Sequence, residues 1–109
     1  MAWLLRDGEV LAAADVVTSF GDRLRVALGP VHLKGVLLVL PAKSAHTLVT
    51  RVPIDVAFCD RDMVVVSTRS MRARRMGLPC LRAHSVIQAE AGAFERWRLR
   101  PGDRLELRS

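Results

Sequence analysis

The feature that most constrains the fold of this chain is an alternation of residue types in its middle. Every second residue there is a large apolar one: Val52, Ile54, Val56 and Phe58. An acidic turn, Asp60-Arg61-Asp62, follows, and the next run, Met63 to Ser67, is again mostly apolar. A period of two is typical of β-strands, and a short polar turn between two such runs indicates a hairpin. We therefore predict an antiparallel β-hairpin over residues 52–67.

Two further turns predict that β-structure forms both ends of the chain. Asp7-Gly8 separates the apolar segments Trp3–Leu5 and Val10–Ala13, and this dipeptide favours the positive φ angles of a type I′ hairpin turn. Near the C-terminus, Arg100-Pro101-Gly102-Asp103 carries the proline and glycine of a type II turn. A closing strand is predicted to follow that turn.

The remaining elements are predicted to be short. The predicted strands are residues 35–40, 46–50 and 85–91, and the predicted helices are residues 20–28 and 93–99. The first helix begins at Ser19-x-x-Asp22, which resembles a capping box, and it ends at Gly29-Pro30. Residues 69–82 lack periodicity and contain Gly77-Leu78-Pro79, so we expect a long surface loop there.

These elements predict one domain over residues 1–109. Its expected class is α+β and mainly antiparallel β, with the strands in a small curled barrel or sandwich and two short helices. Half of the residues are apolar and 26% are charged, as in globular chains with one core. No apolar run approaches the roughly 20 residues of a membrane span, and the N-terminus lacks the apolar stretch of a secretory signal. We therefore expect a cytoplasmic protein without a membrane span.

The net charge of +6 is concentrated in one segment. Residues 61–84 contain six arginines and one acidic residue, and such a patch can bind phosphate or nucleic acid. The candidate polyanion-binding residues are Arg69, Arg72, Arg74, Arg75 and Arg82. However, 15 of the 17 basic residues are arginine, which a coding bias also explains. Phe20, Phe58 and Phe94 occupy core-like positions that leave no aromatic platform for bases, so nucleic-acid binding is the weaker alternative.

The cysteines and histidines match no metal-binding or redox motif. Cys59 and Cys80 stand 21 positions apart with no CxxC pair, and we expect both to be free. His32, His46 and His84 are separated by 14 and 38 positions, which fits no helical metal pair. We therefore expect neither a metal nor a cofactor.

Three stretches of the sequence resemble one known family when they are read together. They are His46-Thr47-x-x-x-Arg51-x-Pro53-Ile54-Asp55-Val56-Ala57-Phe58-x-Asp60, Val86-Ile87-Gln88-Ala89-Glu90-Ala91-Gly92 and Leu99-x-Pro101-Gly102-Asp103. In this order and spacing they are similar to the bacterial and archaeal family called domain of unknown function 192. The resemblance covers residues 10–108 and implies a compact, mainly β domain with short helices. It implies no reaction, because the family has no assigned activity.

Two positions depart from the pattern of that family. The family often carries an arginine after the glycine that follows the first helix, where this chain has Gly29-Pro30. It also commonly carries an aromatic residue or glycine and then Met, where this chain has Val49-Thr50. Both departures fall in the region where a ligand site shared by the family is expected. A role of that kind would be altered or lost in this chain.

Asp55 is the residue that most strongly suggests a site. It lies inside an apolar strand, and burying an unpaired carboxylate costs several kcal/mol. Arg51 shares its face of the strand but stands about 13 Å away along a straight strand. A backbone amide or a cross-strand group is therefore the expected partner, and a structural role is favoured over a ligand role.

Our main functional hypothesis is a non-catalytic module that binds a small molecule or a protein. Its candidate ligand site consists of polar residues that interrupt core-like sequence: His46, Thr47, Arg51, Asp55 and Glu90. The alternative is a hydrolase-like enzyme that uses His46 with a carboxylate, although no Ser or Cys stands in a nucleophile motif. The sequence assigns no catalytic residue, ligand or oligomeric state.

Overall fold

Seven β-strands and one short helix are found in residues 2–18, 35–43, 53–72 and 79–109, which are the residues that the computed structural model describes. The strands are β1 (Ala2–Arg6), β2 (Glu9–Val17), β3 (Val36–Val39), β4 (Ile54–Cys59), β5 (Val65–Met71), β6 (Ser85–Glu90) and β7 (Leu105–Arg108), and the helix is α1 (Ala93–Trp97). The predicted helix at 20–28 and the predicted strand at 46–50 lie outside these residues. Within the described part of the chain, no helix has the length and hydropathy to cross a membrane.

Both predicted hairpins and the type II turn are confirmed. β1 pairs with β2 across Asp7 and Gly8, whose φ angles of 52° and 80° suit a type I′ turn. β4 pairs with β5 in antiparallel register along its whole length. In the turn before β7, the N–H of Asp103 donates to the carbonyl of Arg100 at 3.1 Å, and Gly102 takes a φ of 96°.

The strands form one curled sheet in the order β5-β4-β6-β3-β2-β1-β7. β2 and β3 are parallel, and every other neighbouring pair is antiparallel. The two edge strands meet at one end of this half-barrel. There the N–H of Val65 donates to the carbonyl of Asp103 at 2.8 Å, and the N–H of Leu105 donates to the carbonyl of Met63 at 2.9 Å. An isolated β-bridge between the same segments completes the junction.

β4 lies between two hydrophobic clusters, and all six of its residues are buried. Successive side chains of a strand point to opposite faces. Ala57 and Cys59 pack with one cluster, which includes Leu4, Leu38 and Ile87. Residues 54, 56 and 58 pack with the other, which includes Met71 and Val86. Asp55 occupies the same face of β4 as Ala57 and Cys59, so a carboxylate is placed beside the larger core.

Two of the predictions need correction. The surface loop predicted over 69–82 starts too early, because β5 continues to Met71. Arg69 fits in this strand because its guanidinium carbon lies 4.6 Å from the ring centroid of Phe58, a stacking arrangement that stabilises a cation. The described residues contain the second predicted helix, which ends at Trp97 because Arg98 adopts a left-handed φ of 53°. The described fold is thus mainly β, with one short helix.

Candidate functional site

Asp55 is buried, with 7% of its surface exposed, and its carboxylate is bound by backbone amides. Its Oδ2 atom accepts hydrogen bonds from the N–H of Gly92 at 3.0 Å and from the N–H of Phe94 at 3.2 Å. Gly92 is the residue just before α1, and Phe94 lies in the first turn of that helix. The expectation that a backbone amide holds Asp55 agrees with this geometry.

The local sequence explains why α1 needs a carboxylate from another element. The first N–H groups of a helix have no partner within the helix, and a Ser, Thr, Asp or Asn side chain at the N-cap normally binds them. Here the N-cap is Gly92, which has no side chain and takes a φ of 93°. Asp55 of β4 supplies the missing acceptor from the neighbouring strand. Its negative charge also suits the positive end of the helix dipole.

Glu90 lies on the opposite face of the sheet from Asp55. In the register of β4 and β6, Asp55 pairs with Ala89 and Ile54 pairs with Glu90. The Glu90 carboxylate accepts a hydrogen bond from Arg96 at 2.6 Å, and more than half of each side chain is exposed. The structure therefore does not bring Asp55 and Glu90 into one site. The other three candidate ligand residues, His46, Thr47 and Arg51, lie outside the described residues.

The candidate polyanion-binding arginines have different surroundings. Arg69 stacks on Phe58 within β5, whereas Arg72 is exposed just after that strand. Arg82 is exposed in a separate turn that precedes β6. Arg74 and Arg75 lie outside the described residues.

A groove of about 620 Å³ opens where β4 ends and β6 begins. Three segments that are distant in sequence line it, namely residues 41–43, 60–62 and 81–84. Its volume falls within the range of roughly 300–1,000 Å³ that is typical of small-molecule sites. The groove is therefore the concave surface that we consider as a binding site.

Hydrogen bonds join two of the groove walls to each other. The N–H of Ala42 donates to the carbonyl of His84 at 2.9 Å. The Lys43 Nζ atom donates to the carbonyls of Leu81 and Ala83 at 2.8 and 3.1 Å. The ammonium group of Lys43 thereby holds the turn before β6 against the segment after β3.

The third wall is an acidic turn that is stabilised by its own first residue. The Asp60 Oδ1 atom accepts hydrogen bonds from the N–H groups of Asp62 at 2.9 Å and Val64 at 3.0 Å, which is an Asx-turn arrangement. By contrast, Arg61 and Arg82 are exposed at the groove. Among the described residues, neither guanidinium has a hydrogen-bond or ion-pair partner. The groove thus offers two arginines that are free to bind a ligand from solution.

Cys59 precedes this turn and is a packing residue. Burial, with a further contribution from the charge of Asp60, raises the pKa of its thiol to about 12, and a hydrogen bond with Ser85 opposes that shift. The thiolate is the nucleophilic form, so Cys59 is not poised for covalent chemistry. Cys59 and Cys80 are both free, as expected. Within the described ranges, no group of three or more acidic, histidine or cysteine side chains could hold a metal ion.

The family model of domain of unknown function 192 (DUF192), described as "Uncharacterized ACR", matches residues 25–107 of the chain. The chain belongs to the DUF192 family. The resemblance inferred from its three sequence stretches is thereby confirmed. None of the curated proteins matches the chain.

Two solved structures share the fold of this DUF192 domain. A protein of unknown function from Novosphingobium aromaticivorans DSM 12444 is 16% identical, with a TM-score of 0.73 over 96% of this chain and 82% of that one. A protein from Sinorhizobium meliloti 1021, described as a "putative transcription regulator", is 15% identical, with a TM-score of 0.63 over 96% of this chain and 90% of that one. At such low identity these similarities establish the fold alone.

Sequence reasoning missed most of the groove. Arg82 is among the candidate polyanion-binding residues, but the sequence places Arg61 only in a turn and gives no reason to consider Lys43 as a site residue. One signal was available: the excess of arginine over acid in residues 61–84 includes both groove arginines. No local pattern showed that residues 41–43 would lie beside them.

Proposed function

We propose that this DUF192 domain is a non-catalytic module that binds a small molecule in the groove formed by residues 41–43, 60–62 and 81–84. The observation that carries the proposal is the exposure of Arg61 and Arg82 at a groove of about 620 Å³. Small-molecule sites combine a concave surface with a few polar groups that fix orientation. The two arginines supply such groups.

The position of Asp55 supports placing the site in the groove. Its carboxylate is already bound by the amides of Gly92 and Phe94. It lies near the first residue of β4, whereas the groove lies beyond the last. A strand rises about 3.3 Å per residue, so Asp55 and the groove are separated by most of the length of β4. Asp55, the residue that most strongly suggests a site in the sequence, therefore has a structural role.

The composition of the groove favours binding over catalysis. None of the described residues that line it is a serine, threonine or cysteine. Covalent catalysis needs an activated nucleophile next to a base. His84 contributes an imidazole to the wall, and the described groove residues give it no hydroxyl or thiol to activate.

The proposal is tested by ligand screening with the full chain. We would record ¹H–¹⁵N correlation spectra with a library of water-soluble metabolites in small mixtures. The proposal predicts at least one binder whose largest shifts fall on the amides of residues 41–43, 60–62 and 81–84. The same compound should shift these amides less in the Arg82→Glu variant and equally in the Arg96→Glu variant, because Arg96 is an exposed arginine of α1 that does not line the groove. A library without binders, or with binders that shift only other regions, contradicts the proposal.

A further inference from the structure

The groove has an unequal distribution of free charge. Its charged lining residues are Lys43, Asp60, Arg61, Asp62 and Arg82. The Lys43 ammonium donates to two backbone carbonyls, and one oxygen of Asp60 accepts from two backbone amides. Arg61, Asp62 and Arg82 remain exposed. The charged groups that do not bind the backbone of the groove walls are therefore two cations and one anion. This surplus favours an anionic group.

Apolar surface lies directly beside these charges. Leu81 is 79% exposed, and it also lines the groove together with Pro41 and Ala83. Removing apolar surface from water is favourable in proportion to the area that is covered. A ligand with an apolar body would cover Leu81 while its head group stays beside Arg82, the next residue in the chain.

From this arrangement we infer that the groove binds a small amphipathic acid, that is, an acid with an apolar chain or ring. The acid group binds Arg61 and Arg82, and the apolar part packs on Leu81 and Pro41. Guanidinium groups suit this task because they donate paired hydrogen bonds to carboxylates. The inference rests on the proposed function and adds the ligand class to it.

Four probes of matched size or charge test the ligand class. They are octanoate, octanol, octylamine and inorganic phosphate, each titrated into the full chain with amide shifts as the readout. Octanoate is expected to bind the groove most tightly. Octanol lacks the charge and octylamine reverses it, so each should have a dissociation constant at least about fivefold higher than octanoate, which corresponds to the ~1 kcal/mol of one exposed charged contact. Phosphate keeps a negative charge but has no apolar chain to cover Leu81, so its dissociation constant should also be at least about fivefold higher.

Variants then separate the two parts of the site. Arg61→Gln and Arg82→Gln should each raise the dissociation constant of octanoate about fivefold and leave that of octanol unchanged. Leu81→Ser should weaken both ligands. Arg96→Gln, in α1 and outside the groove, should change neither dissociation constant and serves as the matched control.

The possible failures are distinguishable. If octanol or octylamine binds the groove as tightly as octanoate, or if both arginine variants retain the octanoate affinity, the acid class is wrong and the groove remains a binding site. If none of the four probes binds while the metabolite screen finds another groove ligand, only the amphipathic class is overturned. If the metabolite screen also finds no groove ligand, both the amphipathic class and the proposed function are overturned.

Discussion

Asp55 and Arg6 bind opposite ends of the same five-residue helix, α1, from two different strands. Asp55 of β4 accepts from the amides at its N-terminal end, and Arg6 of β1 donates to the carbonyls of Trp97 and Arg98 at its C-terminal end. A helix this short is not stable alone. The two charged side chains therefore bind unpaired backbone groups at both ends of α1 and join it to the sheet, each with the sign that suits the helix dipole.

Replacing Asp55 should cost substantial stability. Asp55→Ala leaves the buried N–H of Phe94 and the partly buried N–H of Gly92 without an acceptor, so we expect a loss of about 3 kcal/mol in the free energy of unfolding. Asp55→Asn keeps an acceptor oxygen and should lose about 1 kcal/mol. Urea unfolding followed by circular dichroism measures both. If the alanine variant does not fold, the asparagine variant carries the test.

The matched control is Asp15→Ala, because Asp15 is an exposed aspartate in β2. Its replacement should change the free energy of unfolding by less than about 0.5 kcal/mol. Equal effects at Asp15 and Asp55 would show that the capping hydrogen bonds are not stabilising.

The ion pair between Arg6 and Asp103 should be energetically coupled. The Nη1 atom of Arg6 lies 3.0 Å from the Oδ2 atom of Asp103, and their side chains are only 20% and 28% exposed. A double-mutant cycle with Arg6→Gln and Asp103→Asn should give a coupling energy of about 1 kcal/mol. The pair of Arg108 and Glu106 is 60% and 53% exposed, and its cycle should give a value near zero. A larger coupling energy for Arg108 and Glu106 than for Arg6 and Asp103 would contradict the prediction.

Gly35 should tolerate no side chain. Its φ is 109°, and a Cβ atom there would lie 2.5 Å from the carbonyl oxygen of Ala13. We expect Gly35→Ala to cost about 3 kcal/mol through backbone strain and displacement of β2. Gly8 has a φ of 80° with no atom near its Cβ position, so Gly8→Ala should cost only about 1 kcal/mol. Chemical denaturation measures the free energy of unfolding of both variants. A similar loss of stability in Gly35→Ala and Gly8→Ala would contradict the prediction.

The fold was predictable where local chemistry determines it. Asp7-Gly8 and Pro101-Gly102 specify turns by their own backbone preferences, and the structure has both turns. The parallel pairing of β2 with β3 was not predictable, because it depends on contacts between distant segments. β5 was predicted too short because Arg69 resembles a loop residue until its stacking on Phe58 is known.

The candidate site was predictable only in part. An aspartate in an apolar strand indicated that Asp55 needs a partner, and its partners are backbone amides 37 and 39 residues away. Nothing in the sequence near Asp55 identifies Gly92 as the N-cap of a helix that it would bind. The groove needs three separate segments, and its arginines have no sequence pattern that distinguishes them from other exposed arginines.

The two cysteines should differ in reactivity. Because the pKa of Cys59 is raised to about 12, about one in ten thousand of its thiols is ionised at pH 8. Iodoacetamide at pH 8 should therefore modify Cys80, which is partly exposed, and leave Cys59 intact until the protein is unfolded in urea. Peptide mapping by mass spectrometry reads out both sites. Rapid modification of Cys59 in the folded protein would contradict its burial.

The central claim is that the free charges of the groove, rather than the buried carboxylate of Asp55, mark the binding site. The most direct measurement is a crystal structure with octanoate, in a crystal form whose lattice leaves the groove open. We predict a carboxylate within about 3 Å of the guanidinium of Arg61 or Arg82, with the alkyl chain on Leu81. Octanoate bound next to Asp55 and Gly92, with the groove empty, would contradict the claim.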